Sequence, residues 1–471
     1  MNKQEFRNLA NKKVLLLDGA TGSNLQKRGM PTGVCPELWI CEHPEVLQGL
    51  QHEYAEAGSD IIYAPTFGGN RIKMEEYGLK DRMEEINTKL VMIAKEGVGT
   101  DALVAADITM TGAQLEPLGD LQFEELIDVY REQLAILSKA GADLVVVETM
   151  MSLQETRAAV IAAKEVCPEL PIMATLSFGE TGKTLYGADA EACVVVLQSL
   201  GVDAVGLNCS AGPDKMKAVF DKMKAVAQIP LIVKPNAGLP QIDAEGNTCY
   251  DMGPEDFKGY MKEIITAGAR VVGGCCGTSP EYIKALKEAV EELNDAGVIV
   301  ENVSAGTEAN ACSSSCRNDG IACDVIRLAS EREVFSFRSN QTLELGEGID
   351  LSADDDMLEE YQNDEYDTAT DTAFDMMDDE VDALLFKADV EGIDEAKALT
   401  DMIAGVSSMV ALPVVAAVSS ARVAEEVLRN FSGVMGIMPL FEDEKEQMEL
   451  FTTLKWYGAK MVTIDKQILC C

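Results

Sequence analysis

Eight short apolar runs, each followed by a stretch of helical periodicity, are the feature that most restricts how this chain can fold. The runs are rich in Val, Ile and Leu, which indicates strands covered on both faces. One intervening segment, at 123–142, carries apolar residues at helical spacing and ends near a glycine. The runs lie at 14–18, 60–67, 103–109, 144–150, 172–178, 204–210, 231–238 and 271–277. Eight such units predict a (β/α)8 TIM barrel, in preference to an open doubly wound sheet.

Polar and reactive residues gather at the carboxyl ends of these predicted strands. They are Asp18, Thr66, Asp107, Glu148, Cys209, Asn236, Cys275 and Cys276. In a (β/α)8 barrel these ends meet at one face, where active sites are built. Packing does not require this arrangement, so it predicts catalysis.

Length and charge exclude several classes of protein. With 471 residues, 47% of them hydrophobic, the chain can bury at least one large core, and two domains are the starting expectation. A net charge of -41 argues against nucleic acid and anionic membrane surfaces as partners. The N-terminal MNKQEFRNLANKK lacks the apolar core of a signal peptide, and no apolar run reaches the ~18 residues of a membrane span. We therefore expect a cytoplasmic protein, in which catalysis or metal binding by some of the thirteen cysteines is favoured over disulfides. Most single cysteines, such as Cys167 and Cys193, are expected to be small buried hydrophobic residues.

Three cysteines are candidate ligands of a single metal ion. Cys209 ends the sixth apolar run, and Cys275 and Cys276 end the eighth. Three thiolates at one barrel mouth suit Zn²⁺, whose tetrahedral coordination would leave a fourth position for water or substrate. The glycines of GGCCGT (273–278) would let two adjacent side chains reach one ion. Spacing alone gives equal weight to another interpretation, in which Cys275 and Cys276 are core residues of a tight glycine turn.

A zinc site of this type predicts chemistry at a substrate thiol. The cation would hold that thiol as a thiolate near neutral pH, although its free pKa is ~8.5. Because three cysteinates are already negative, the bound sulfur would stay nucleophilic and attack an electrophilic carbon. His43 and His52 lie in an early helical region, so a histidine metal site or a Ser/His triad is not expected. CSSSC at 312–316, with Cys323, Cys470 and Cys471, is a weaker candidate metal group.

The regular alternation stops after a last predicted helix at 279–297, and 1–300 is expected to form the first domain. Residues 339–386 contain no Lys or Arg, so we expect 301–380 to be a solvated acidic linker, partly disordered. A metal-binding or partner-docking arm is the less favoured alternative. Residues 381–471 alternate strands and helices again and predict half an α/β barrel. Its open sheet edges should pack on the first domain, on another subunit as in a homo-oligomer, or on a partner.

Five motifs together resemble the homocysteine S-methyltransferase family. They are LLLDGATGSNL (15–25), AGSDIIYAPTFGGNR (57–71), VVVETM (145–150), GLNCS (206–210) and GGCCGT (273–278). The resemblance spans about residues 10 to 300 and is nearer to the homocysteine module of cobalamin-dependent methionine synthase than to the betaine or S-methylmethionine branches. It implies a zinc-dependent barrel that transfers a methyl group to homocysteine to give methionine.

The resemblance also implies roles for individual residues. Cys209, Cys275 and Cys276 would bind zinc, with the homocysteine sulfur as fourth ligand. Asp18 and Glu148 match the positions that grip the amino-acid end of the substrate, and two carboxylates can indeed hold an α-ammonium group. The N–H groups of Gly22 and Ser23 would suit the substrate carboxylate. Alternatively, Asp18 could cap the following helix and Glu148 could form a structural ion pair.

The C-terminal residues resemble the first half of the methyltetrahydrofolate-binding barrel of the same synthase. The likeness departs from that domain at its pterin-facing positions, here Leu385, Lys387, Val418, Met438 and Phe441, so we expect that folate binding is lost. No segment resembles a cobalamin-carrying module, which implies a methyl-corrinoid on a separate protein as donor. Two alternatives stay open: a free donor such as S-methylmethionine, and a non-catalytic scaffold or regulatory subunit that has kept the barrel for binding.

Overall fold

The computed structural model describes residues 1–242, 248–298 and 325–469. These residues form two compact units. The first contains Met1–Ala190 and the residues from Val202 to 298; the second contains Glu191–Gly201 and residues 325–469. The predicted cysteines at 312–316, 323, 470 and 471 lie outside the described residues.

The first unit is built on an eight-stranded parallel sheet. Its strands are β1 (Leu15–Leu16), β2 (Ile61–Ala64), β3 (Leu103–Ile108), β4 (Leu144–Met150), β5 (Ile172–Leu176), β6 (Ala204–Asn208), β7 (Leu231–Lys234) and β8 (Val271–Val272). The strand order is β1-β8-β7-β6-β5-β4-β3-β2, and a parallel bridge from Leu17 to Ile61 joins the two ends. The predicted (β/α)8 barrel is confirmed, because each expected strand is present and parallel to its neighbours.

Helices connect these strands and cover the barrel. They span Lys3–Lys12, Gly22–Lys27, Pro36–Glu42, Pro44–Ala57, Arg71–Glu76, Met83–Val98, Phe123–Lys139, Leu153–Val166, Pro213–Val226, Pro254–Thr266 and Pro280–Asp295, with a 3-10 turn at Lys80–Arg82. Helix Ala190–Leu200 follows β5 and belongs to the second unit from Glu191 onward. A short antiparallel pair, Pro240–Ile242 with Thr248–Tyr250, follows β7.

Strand residues of alternate register fill the barrel interior, as the two-residue period of a strand requires. Leu15 and Leu17, Ile61 and Tyr63, and Leu144 and Val146 share one buried cluster. Phe6 and Ala10 of the N-terminal helix belong to the same cluster. Burial of Phe6 alone stabilises the fold by about 1.5–3 kcal/mol. The first helix is therefore part of the barrel core.

The second unit contains a six-stranded sheet. Its strands, in spatial order, are β9 (Ile349–Asp350), β10 (Leu384–Lys387), β11 (Val414–Val418), β12 (Gly436–Pro439), β13 (Lys460–Val462) and β14 (Ile468–Leu469). The first five are parallel and the last is antiparallel. A separate antiparallel pair is formed by Val325–Ala329 and Val334–Arg338. The helices are Asp355–Gln362, Asp367–Asp378, Glu395–Ser407, Ala421–Asn430 and Glu444–Tyr457.

The acidic stretch is not the linker that its charge predicts. Strand β9 pairs with β10, and two helices occupy Asp355–Gln362 and Asp367–Asp378. Asp354 caps the first of these helices by accepting from the N–H groups of Asp356 and Met357, where the helix dipole favours negative charge. Buried Ala369, Ala373 and Met376 recur at helical spacing. Counting charges hid this small apolar face, which is why the linker prediction was wrong here.

None of the helices in the described part of the chain combines the length and the apolar character that a membrane crossing needs.

Candidate active site

A cavity of about 350 Å³ opens at the carboxyl ends of the barrel strands. Every residue to which the sequence assigns a role in the site lines it: Asp18, Gly22, Ser23, Glu148, Cys209, Cys275 and Cys276. The topology explains the convergence, because the ends of all parallel strands in a barrel reach the same face.

The three cysteines converge in space despite their separation in sequence. The Sγ atoms of Cys209, Cys275 and Cys276 lie within 4.8 Å of one another. Among the described residues, no fourth histidine, cysteine or carboxylate belongs to this group. Hydrogen bonds from Cys275 and then Cys276 lower the pKa of the Cys209 thiol below its usual value. The alternative in which Cys275 and Cys276 only fill a glycine turn does not account for this convergence.

An unusual backbone conformation at Cys209 and Ser210 orients the Cys209 thiol. Cys209 has φ 60° and Ser210 φ 57°, in the left-handed region that costs a non-glycine residue about 1–2 kcal/mol. The Ser210 hydroxyl donates to the carbonyl of Phe178 at 3.0 Å, and the Cys209 N–H donates to the carbonyl of Lys234 at 3.2 Å. Strain of this kind persists where surrounding contacts enforce it, and it is concentrated at functional sites.

The turn that carries Cys275 and Cys276 requires a glycine at position 277, which agrees with the role that the sequence predicts for the flanking glycines. Gly277 has φ +82°, and a Cβ there would lie 2.3 Å from the Tyr250 ring. The Cys276 N–H donates to Asn236 Oδ1 at 3.1 Å, and the Thr278 hydroxyl donates to the Cys275 carbonyl at 2.7 Å. These bonds fix the turn on both sides of the thiol pair.

A bulge at the end of β4 places Glu148 in the cavity. Val147 pairs with Ala174 and Met150 with Leu176, so two residues of β4 face one of β5. Thr149 in the bulge has φ 58° and exchanges two hydrogen bonds with the Asn208 side chain, at 3.0 and 2.7 Å. Neither Thr149 nor Asn208 was predicted from sequence, because bulges leave no clear sequence signal.

Asp18 is a buried cavity residue and not a helix cap. Its Oδ2 accepts the N–H of Tyr63 at 2.9 Å, while the following helix is preceded by Thr21. Burial raises the pKa of Asp18 to about 6, against the opposing effect of Lys234. The side chain therefore ionises close to neutral pH.

Lys234 is a cavity residue to which the sequence analysis assigned no role. Its Nζ lies 3.1 Å from Glu148 Oε1, 3.5 Å from Asp18 Oδ1 and 4.4 Å from the centre of the Tyr63 ring. The ion-pair alternative for Glu148 is therefore correct in part. Burial raises the pKa of Glu148, and Lys234 opposes that effect. A lysine inside the apolar run LIVKPNAG was the available signal.

The remaining predicted positions are Thr66, Ser23 and the two histidines, and of these Ser23 lines the cavity. Thr66 accepts the N–H of Asp107 at 3.1 Å and donates to its carbonyl at 2.8 Å, which fixes the end of β3. Ser23 Oγ is buried without a hydrogen-bond partner. His43, between helices Pro36–Glu42 and Pro44–Ala57, stacks on Trp39, and His52, on the second of these helices, pairs with Glu56.

Fold and site define a (β/α)8-barrel protein with a three-thiol, carboxylate-lined cavity at its strand ends. The family model described as homocysteine S-methyltransferase matches residues 15–290, more than half of the chain. The chain therefore belongs to the homocysteine S-methyltransferase family, as its motifs predicted, and this membership supports a methyltransferase activity.

Curated relatives include two mycobacterial methionine synthases. The chain is 31% identical over 306 residues to the protein of Mycobacterium leprae and 30% identical over 309 residues to that of Mycobacterium tuberculosis. Each match covers 61% of this chain but only 25% and 26% of the relative. The chain thus matches about a quarter of the length of these relatives.

Among solved structures, the metallated form of the homocysteine methyltransferase MmuM from Escherichia coli is similar in fold. It has a TM-score of 0.51 at 24% identity, covering 60% of this chain and 99% of that one. The oxidised form gives the same TM-score at 23% identity.

Proposed function

We propose that the barrel transfers a methyl group to the thiolate of homocysteine, giving methionine, with zinc held by Cys209, Cys275 and Cys276. The observation that carries this proposal is the convergence of three sulfurs, within 4.8 Å of one another, in a cavity that also contains Asp18 and Glu148. Family membership supplies the reaction class.

The thiol group fits a zinc ion. Tetrahedral zinc binds sulfur at about 2.3 Å, which places two sulfur ligands about 3.8 Å apart. Sulfur atoms within 4.8 Å of one another can reach that separation with small rotations of their side chains. A zinc ion would supply the positive charge that keeps a substrate thiol deprotonated and nucleophilic near neutral pH.

Asp18 and Glu148 would orient the substrate. Both are buried and line the cavity, where carboxylate oxygens can accept the N–H groups of an α-ammonium. The N–H groups of Gly22 and Ser23 lie in the first turn of a helix, where no intrahelical acceptor is available, and would bind the substrate carboxylate. Holding both ends of the amino acid would leave its sulfur directed at the thiol cluster.

The donor would be a methylated corrinoid that approaches from outside the barrel. Similarity to methionine synthases over the barrel supports this choice, and a cavity of about 350 Å³ suits an amino acid, not a corrin ring. In the second unit, buried Leu385, Val418 and Met438 cannot hydrogen-bond a pterin, so we infer that it does not bind folate. That unit would serve packing, self-association or docking of the donor.

Methionine formation tests the proposal. Zinc-loaded protein is incubated with homocysteine and either methylcobalamin or S-methylmethionine, and methionine is quantified by mass spectrometry. We expect turnover with the corrinoid, loss of it in Cys276→Ala, and retention in Cys167→Ala, which removes a buried thiol elsewhere in the barrel. Turnover with S-methylmethionine alone would replace the donor. Full activity of Cys276→Ala, or no activity with any donor, would contradict the proposed function.

A further inference from the structure

The cavity offers a substrate ammonium group less negative charge from Asp18 and Glu148 than the sequence predicts. Asp18 and Glu148 were assigned to the substrate ammonium, yet Lys234 already lies 3.5 and 3.1 Å from their oxygens. One buried lysine cancels the charge of one of these two carboxylates. Taken alone, the three side chains would offer a substrate cation a net charge of only -1.

A third carboxylate restores the missing charge. Asp107, at the end of β3, lines the same cavity and is 6% exposed. Burial, and then the charge of Glu148, raise the pKa of Asp107, and a bound ammonium group would favour its ionised form; with all three carboxylates ionised, they outnumber Lys234 by two. Asp107 is held in place through its backbone by Thr66, so its side chain is not needed to close the strand end.

The hydrogen bonds of the cavity carboxylates also indicate that Asp107 binds a ligand. Asp107 Oδ1 is buried and has no hydrogen-bond partner, whereas Glu148 Oε1 and Asp18 Oδ1 lie 3.1 and 3.5 Å from Lys234 Nζ. Buried polar atoms in proteins are nearly always partnered, so unpartnered ones call for a ligand or another explanation. An alkylammonium group has three N–H donors. One of these donors could bind Asp107 Oδ1, which the protein itself leaves without a partner.

We propose that Asp107 is a third substrate-binding residue, which accepts a hydrogen bond from the α-ammonium group of the thiol substrate and compensates for Lys234. The proposal rests on the proposed function and names the part of the substrate that the cavity selects. It predicts that the site discriminates amino thiols from thiols that carry only a carboxylate.

The test compares two thiols that differ by one amino group. Binding of homocysteine and of 4-sulfanylbutanoate to the zinc-loaded full chain is measured by calorimetry for wild type and Asp107→Asn. Loss of one charge-assisted hydrogen bond should weaken homocysteine binding about ten- to hundred-fold, and should change binding of 4-sulfanylbutanoate by less than about threefold.

A matched control separates this effect from a general effect of removing a buried aspartate. Asp203 is 1% exposed and is bound by Arg7 and the N–H of Ile172, away from the cavity residues. Asp203→Asn should lower the melting temperature and leave the ratio of the two dissociation constants unchanged. If Asp107→Asn does not fold, Asp107→Ser is judged by the same ratio.

The outcomes distinguish the inference from the proposed function. Equal weakening of both thiols by the Asp107 variant, or no weakening of either, would overturn the role of Asp107 while wild-type binding of homocysteine upheld the proposed function. Wild-type protein that binds neither thiol would overturn both.

Discussion

Replacing Lys234 by methionine tests whether the cavity carboxylates are ionised in the folded protein. The substitution keeps most of the side-chain volume and removes the cation that lies 3.1 Å from Glu148 and 3.5 Å from Asp18. All three side chains are almost fully buried: Lys234 is 4% exposed, Asp18 2% and Glu148 8%. Removing one partner of such a pair typically costs about 3–5 kcal/mol, because the remaining charge has no compensation. In a domain of this size that corresponds to a fall in melting temperature on the order of 10 °C.

The cost should depend on pH in a definite direction. Burial already raises the pKa of Asp18 to about 6 with Lys234 present, and the pKa rises further without the lysine. A carboxyl whose folded pKa exceeds its unfolded value loses stability as pH rises through the folded value. We therefore expect Lys234→Met to be most destabilised above pH 7 and to approach wild type near pH 5, where the Asp18 carboxyl is protonated.

Thermal unfolding followed by circular dichroism at pH 5 and pH 8 measures both effects. Lys258→Met is the control, because Lys258 pairs with the exposed carboxylates of Glu288 and Glu292 and should contribute about 1 kcal/mol or less. If Lys234→Met melted within 2 °C of wild type at pH 8, on the order of 1 kcal/mol or less, the charge balance argued for the cavity would be refuted.

Two further predictions follow from the geometry of the site. Gly277→Ala should abolish zinc binding or folding of the barrel, because φ at this position is +82° and a Cβ would meet the Tyr250 ring. The control Gly78→Ala, with φ +66° in open space, should cost about 1 kcal/mol of stability. Zinc content after dialysis and a melting curve measure both effects, and a zinc-replete Gly277→Ala protein would contradict the account. The affinity for homocysteine relative to 4-sulfanylbutanoate should fall as pH drops through about 6, because Asp18 must be ionised to bind the ammonium group strongly. Calorimetry across pH 5 to 8 measures the ratio of the two affinities, and a constant ratio would show that Asp18 does not bind the ammonium group.

The sequence was most informative where periodicity and residue type coincide. The strand that ends at Asn208 is a continuous apolar run within the regular alternation of strands and helices. The place of Cys209 at the cavity mouth therefore followed from topology alone. Cys275 and Cys276 followed in the same way. Asp18 and Glu148 needed the family resemblance for a role, because strand-end carboxylates occur for many reasons.

The sequence was least informative about charge balance and local distortion. Lys234 stands in an apolar run, and nothing in that run shows that its ammonium group points between two carboxylates. The bulge at Glu148 and Thr149 depends on how β4 and β5 pair, which is a property of two strands and not of either one. In the acidic stretch, charge concealed the buried face of Ala369, Ala373 and Met376.

X-ray absorption at the zinc edge tests the central claim most directly. The account predicts that protein loaded with one zinc shows three sulfur ligands at about 2.3 Å, and that adding homocysteine raises the number to four, whereas adding methionine does not. A site with four protein ligands before any thiol is added, or a sulfur count that homocysteine leaves at three, would contradict it.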